Sequence, residues 1–202
     1  MSDDDSRKHL LARVECLVRG GFEGEEELVE EFEQWVEDEL GESDSALVET
    51  LEAHARKLFQ EQRVREAGWS EPTLNDAIAS AFEELNGRGI VAMEDAGYTM
   101  SEGWSEVNEV ASSQDPLPRG AVFYHGQDLE RGVAGEGLLL AFGAYEDDDA
   151  KHEAASLAIG REACEVLGRH GVRTEWNGSV GERIQIPPFE WRKRQWTQVA
   201  RS

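Results

Sequence analysis

Apolar residues recur at helical spacing through the first part of the chain. Leu10, Leu11, Val14, Leu17 and Val18 form one such stripe and stop at Gly20-Gly21. Leu28, Val29, Phe32, Trp35, Val36 and Leu40 form a second and stop at Gly41, so both stretches read as helices closed by a left-handed glycine cap. Glu25, Glu26 and Glu27 lie in the first turn of the second helix, where negative charge complements the dipole. Ser43, Asp44 and Ser45 offer a cap for a third helix bearing Leu47, Leu51, His54, Ala55, Leu58 and Phe59. Ser70 and Pro72 open a fourth with Leu74, Ala77, Ile78, Ala81, Phe82 and Leu85 inward, ending at Gly87.

Beyond Gly89 the period changes. Ile90 to Met93, Ala121 to Tyr124, Leu138 to Phe142, Val172 to Trp176 and Arg183 to Ile186 are short β-favouring runs. Asn177-Gly178 supplies a turn that makes the last two an antiparallel hairpin. One long helix, with Ala155, Ala158, Ile159, Ala163, Val166 and Leu167 on its inner face, separates the third run from the fourth; Glu146 to Asp149 supplies its cap. The pattern predicts an α+β fold, a helical part over 1–87 and a sheet domain over 88–202. The sheet is mixed, has about five strands and is covered by the long helix. No proline- or serine-rich linker separates the two parts, so they are expected to pack as one unit.

Charge changes the picture of partners. The 202 residues carry a formal net charge of -23, and more than half of it falls in roughly the first quarter, Asp3 to Glu49. Such a surface repels nucleic acid and anionic membranes, and favours a basic protein partner. A solvated helix face or a general acidic adaptation would produce the same composition. Arg192-Lys193-Arg194 is the basic exception; Trp191 beside it is expected to return to the core while the arginines stay wet or pair with acidic helices. Cys16 and Cys164 fit two buried thiols in a reducing compartment better than a disulfide framework. The acidic Met1-Ser2-Asp3-Asp4-Asp5 is unlike a signal peptide, and no apolar run approaches the roughly 20 residues that cross a bilayer, so the expected location is cytoplasmic.

Chemistry concentrates in Phe123-Tyr124-His125-Gly126-Gln127-Asp128-Leu129-Glu130, at the end of the second apolar run. The segment Gly97-Tyr98-Thr99-Met100-Ser101-Glu102-Gly103-Trp104 follows the first. If those two runs pair in parallel, Tyr98, Trp104, His125 and Asp128 meet at one sheet edge. The candidate pocket is therefore Tyr98, Glu102, Trp104, His125, Gln127 and Asp128. In the functional reading His125 is a general acid or base oriented by Asp128 or Glu102, with Tyr98 or Trp104 as an aromatic wall. In the structural reading His125 is a hydrogen-bonded strand-end residue, Asp128 caps a short helix starting at Leu129, and Trp104 seals the core. No nucleophile elbow is present, and neither cysteine has a neighbouring histidine. The five histidines are scattered, which argues against a zinc site, and Gly135-Glu136-Gly137 precedes a strand, the wrong order for a phosphate loop. No metal and no cofactor is expected.

Taken together, Gly89-Ile90-Val91-Ala92, the Gly97 to Trp104 segment, Phe123 to Arg131, Gly137 to Gly143, Thr174 to Gly178 and Arg183 to Ile186 resemble a family of uncharacterised bacterial proteins defined only as a domain of unknown function. The resemblance spans about two thirds of the chain; it implies a bacterial origin, assigns no activity, and carries over no catalytic residue. With no complete catalytic set, the expected function is that of a non-catalytic cytoplasmic binding protein, like an inhibitor or immunity factor, with an acidic face for a protein partner. The alternative is a small-molecule enzyme or ligand-binding domain with its pocket around His125.

Overall fold

A computed structural model describes residues 3–197. The chain forms two compact units, one running to Pro72 and resuming at Arg192, the other spanning Thr73–Trp191.

In the first unit, α1 (Asp3–Gly20), α2 (Glu25–Glu30) and α3 (Phe32–Leu40) pack along the longer α4 (Ser45–Ala67). The apolar stripes read from the sequence meet here: Leu10, Val14, Leu28, Phe32, Leu51 and Phe59 are all fully buried in one cluster. Gly21 and Gly41 adopt φ of 78° and 74°, a left-handed backbone that side chains disfavour, which is why α1 and α3 end there. Asp44 caps α4, accepting the Leu47 N–H at 3.0 Å, and also pairs with Arg7. The stretch expected as one helix from Leu28 to Leu40 is broken at Glu31, whose N–H bonds back only three residues to Leu28. Leu28, Phe32, Trp35 and Val36 keep ordinary helical spacing across that turn, and all four are buried.

In the second unit, α5 (Leu74–Gly87) leads into β1 (Ile90–Met93), α6 (Met100–Ser112), β2 (Gly120–Phe123), α7 (Gly126–Val133), β3 (Leu138–Ala144), α8 (Asp149–Arg169) and β4 (Ile184–Ile186). The four strands form a mixed sheet in the order β1-β2-β3-β4, with β1 and β2 parallel and the remaining pairs antiparallel. The fold is α+β. α6 covers one face, where Val107 and Ala111 pack with Val91, Ala121, Phe123 and Ala141. The opposite alternation points Gly120 and Phe142 at α8: Ile159 lies 2.9 Å from where a Cβ on Gly120 would be, and Phe142 the same distance from one on Gly160. α5, grouped by sequence with the preceding helices, packs on β1 and α8, so it belongs to the sheet's unit.

Two further segments differ from the sequence reading. Val172 to Trp176 does not form a fifth strand of the ladder; it contributes one antiparallel bridge, Glu175 to Gln185. Trp176 explains the truncation, because its indole N–H donates to the carbonyls of Ser179 and Glu182, both at 3.0 Å, folding the loop over itself. Trp176 also meets Phe142 edge to face at 5.1 Å. The short helix expected to start at Leu129 starts at Gly126, with His125 and not Asp128 in the cap position.

Candidate functional site

The parallel pairing of β1 and β2 continues past the strands as backbone bonds. Ala96 N–H donates to the Tyr124 carbonyl at 2.9 Å, Gly126 N–H to Gly97 at 2.8 Å, and Gln127 N–H to Tyr98 at 3.1 Å. The loop after β1 thus lies against the first turn of α7. Gly126 is needed for this approach, since a Cβ there would stand 2.7 Å from the Tyr98 ring. Because these carbonyls and that of His125 take up the N–H groups of residues 126, 127 and 128, the helix start has no donors left for an anion.

His125 occupies the cap position without using its side chain to cap. Its imidazole turns to Asp128 one helical turn on, with Nε2 and Oδ2 3.1 Å apart. Arg183, immediately before β4, reaches the same carboxylate, its Nη1 donating to Oδ1 at 3.0 Å and to Oδ2 at 2.8 Å. The antiparallel registers bring it there: Phe123 faces Ala141 across β2–β3, and Leu140 faces Ile184 across β3–β4. His125 and Asp128 are 4% and 1% exposed, whereas the Arg183 side chain keeps 33% of its surface.

The partners determine the state of the ring. Nε2 also lies 3.4 Å from the Arg183 Nη1 donor, but the shorter contact is to a carboxylate that can only accept, which places the proton on Nε2, donating to Asp128 Oδ2. Nδ1 is then a buried lone pair with no partner among the described residues. Protonating Nδ1 would bury an N–H with nothing to receive it. Burial, assisted by the nearby Arg183 guanidinium and opposed by Asp128, accordingly lowers the pKa of His125 below its ordinary value. Burial raises the Asp128 carboxyl, against the pull of Arg183 and His125. In the same neighbourhood the fully buried Tyr124 hydroxyl donates to Glu94 at 3.1 Å; burial and that carboxylate push its pKa well up.

The remaining candidates serve other partners. Tyr98 is exposed at the rim and its hydroxyl donates to Glu130 at 3.1 Å. Glu102 accepts the N–H of Thr99 at 2.8 Å and of Tyr98 at 3.1 Å, closing the start of α6; those bonds hold its pKa below the usual value. Trp104 lies inside the α6 contact, edge-on to Phe123 at 5.0 Å and against Gly143. Gln127 is exposed, with its backbone N–H on Tyr98. The arrangement therefore joins His125, Asp128 and Arg183, with Tyr98 beside them through its backbone. Arg183 was not among the sequence candidates. Its one signal was strand phase: it sits opposite in alternation to the buried Ile184 and Ile186, but its target depends on two registers invisible in the sequence. Among the described residues no group of three histidine, cysteine or acidic side chains could hold a metal ion.

A family model matches residues 3–195. The chain belongs to DUF6891, a domain of unknown function. No curated protein and no solved structure matches it. Membership in DUF6891 covers both units, so the helical unit is as much part of the family's domain as the sheet.

The helical unit contributes the second chemically distinctive surface. No lysine or arginine lies between Arg19 and Arg56. Across α2, α3 and the turn between them, Glu26, Glu30, Glu31, Glu33, Glu37 and Asp38 are all exposed. Glu37 accepts from Ser43 and Asp38 from Gln34, but among the described residues none of the six forms an ion pair. Glu26 with Glu30, and Glu33 with Glu37, repeat like charge at a spacing that costs a helix about 0.2–0.5 kcal/mol per pair.

Proposed function

We propose that this is a non-catalytic cytoplasmic binding protein that engages a basic protein partner through the carboxylate face of α2 and α3. The observation that carries the reading is that face: six exposed acids that form no ion pair among the described residues, mounted on helices whose other side packs into the core. Like charges so placed weaken the free helix, and a cationic partner would relieve them. No helix among the described residues is long and apolar enough to cross a membrane. Purification from the native cell at low salt should yield a basic protein bound to this chain. Replacing Glu26, Glu30, Glu33 and Glu37 by Gln should abolish the association while leaving the helical circular dichroism unchanged, as should about 0.5 M salt. Isolation of the chain alone at low salt overturns the reading.

A second reading, ligand binding at His125, is favoured by Nδ1, which has no partner among the described residues, and by Arg183, which has only Nη1 engaged among them. A small carboxylate docking on the remaining guanidinium donors would shift the His125 ring resonances in a proton NMR titration. A spectrum unmoved by a panel of such acids removes this reading.

A further inference from the structure

The segment from Arg192 to Thr197 lies in the helical unit as a ligand lies in a groove. Its backbone N–H groups at Gln195, Trp196 and Thr197 all donate to the carboxylate of Glu66, the first two at 2.9 Å, and the Thr197 hydroxyl adds a bond at 2.7 Å. Glu66 is 1% exposed. Burial alone would raise its pKa; the bonds from Gln195, Thr197 and Trp196 outweigh that and hold it below the ordinary value. Side chains complete the seat. Lys193 stands 4.3 Å over the Phe22 ring, the Gln195 amide donates to the Glu23 carbonyl, and Trp196 meets Phe59 edge-on at 6.3 Å with Arg63 over its face. Arg194 donates to the carbonyls of Trp69 and Glu71 at 3.0 and 2.8 Å.

Such a groove reads backbone donors through one buried carboxylate, an aromatic through Phe59, and basic side chains through carbonyls and rings. It opens beside the acidic face, since Phe22 and Glu23 lead directly into α2. We infer that this groove is a recognition site for an extended basic and aromatic peptide segment of a protein partner, held in reserve by the chain's own Arg192–Thr197. The inference rests on the proposed function and gives the partner a chemistry: two or three basic residues followed within a few positions by a tryptophan. Vacating the groove would strip Glu66 of these donors and return its carboxylate to water, so a competing segment must replace the same bonds to displace the resident one. The tethered segment competes at an effective concentration on the order of millimolar, which makes the contact autoinhibitory. A partner overcomes it by adding contacts on the adjoining acids.

The test uses the full chain and a labelled, end-capped peptide with the sequence of residues 192–197, followed by fluorescence anisotropy. Weakening the resident segment with Trp196→Ala should tighten peptide binding at least about tenfold over the wild type. A peptide N-methylated at the positions of Trp196 and Thr197 lacks the donors that Glu66 accepts and should not bind, a control that needs no change in the groove itself. Equal affinity for both chains, no binding to either, or undiminished binding of the methylated peptide would each overturn the inference. Failure here alongside a salt-sensitive basic partner lost on neutralising α2 and α3 would leave the proposed function standing. Peptide binding without any basic partner would do the reverse.

Discussion

At His125, burial against Asp128 chooses the tautomer and through it a pH response. The folded ring has a depressed pKa, whereas the unfolded ring titrates near 6.5. Below that value the unfolded chain takes up a proton that the folded chain refuses, so stability present above pH 6.5 is lost as pH falls through it. The loss is at most about 1.4 kcal/mol for each pH unit. Asp128, with its carboxyl raised by burial, contributes with the opposite sign, its effect growing as acid is added towards the carboxylate range. The histidine slope therefore stands clear just below 6.5. Urea unfolding at about pH 7.5 and about pH 5.5 should show a larger loss for the wild type than for His125→Gln, because the other four histidines are common to both. Equal losses would mean that the ring titrates normally in the folded protein.

Among the elements, α6 depends on a close approach. A Cβ on Gly103 would meet the Phe123 ring and stand 2.7 Å from the Ala96 carbonyl oxygen. Alanine would ordinarily favour a helix by about 1 kcal/mol over glycine. Overpacking against a strand side chain and a fixed carbonyl costs about 1–3 kcal/mol, and more when backbone must move. Gly103→Ala should therefore destabilise the chain by up to about 2 kcal/mol net, and by more if backbone must move; thermal unfolding of the two proteins decides it, and a gain in stability would show the contact to be loose. The same element marks the limit of what sequence patterns carry. Helices with three or more buried turns, such as α4, α5 and α8, were legible from apolar spacing, as were the four ladder strands. α6 is not legible from apolar spacing, because its inward side includes Gly103 and Ala111, which carry little apolar signal. At the site, His125 and Asp128 are one turn apart and could be paired on paper. Arg183 could not, since its contact spans 55 positions and two strand registers. Trp104 was drawn towards the pocket by its neighbours in sequence, yet its indole fills the space above Gly143.

For the molecule as a whole, a charge of -23 makes self-repulsion a systematic term. Exposed pairs such as Arg7 with Asp44 and Arg173 with Glu175 contribute little each and also weaken with salt. With more than twice as many acids as bases, relief of repulsion should win. Raising sodium chloride from about 20 mM to about 0.5 M should increase the melting temperature, by ~2–4 °C for each kcal/mol relieved. A fall would show that the ion pairs dominate. The clasp at Glu66 has a further bearing on how the polypeptide is made. Its carboxylate waits for donors 129 to 131 positions downstream. During synthesis the first four helices emerge from the ribosome long before those donors exist, and until then the nascent bundle must keep that charge hydrated. The last turn of α4 can make this contact only after the sheet's whole length has been translated, so the four helices wait for their closing bonds on a segment synthesised after the sheet.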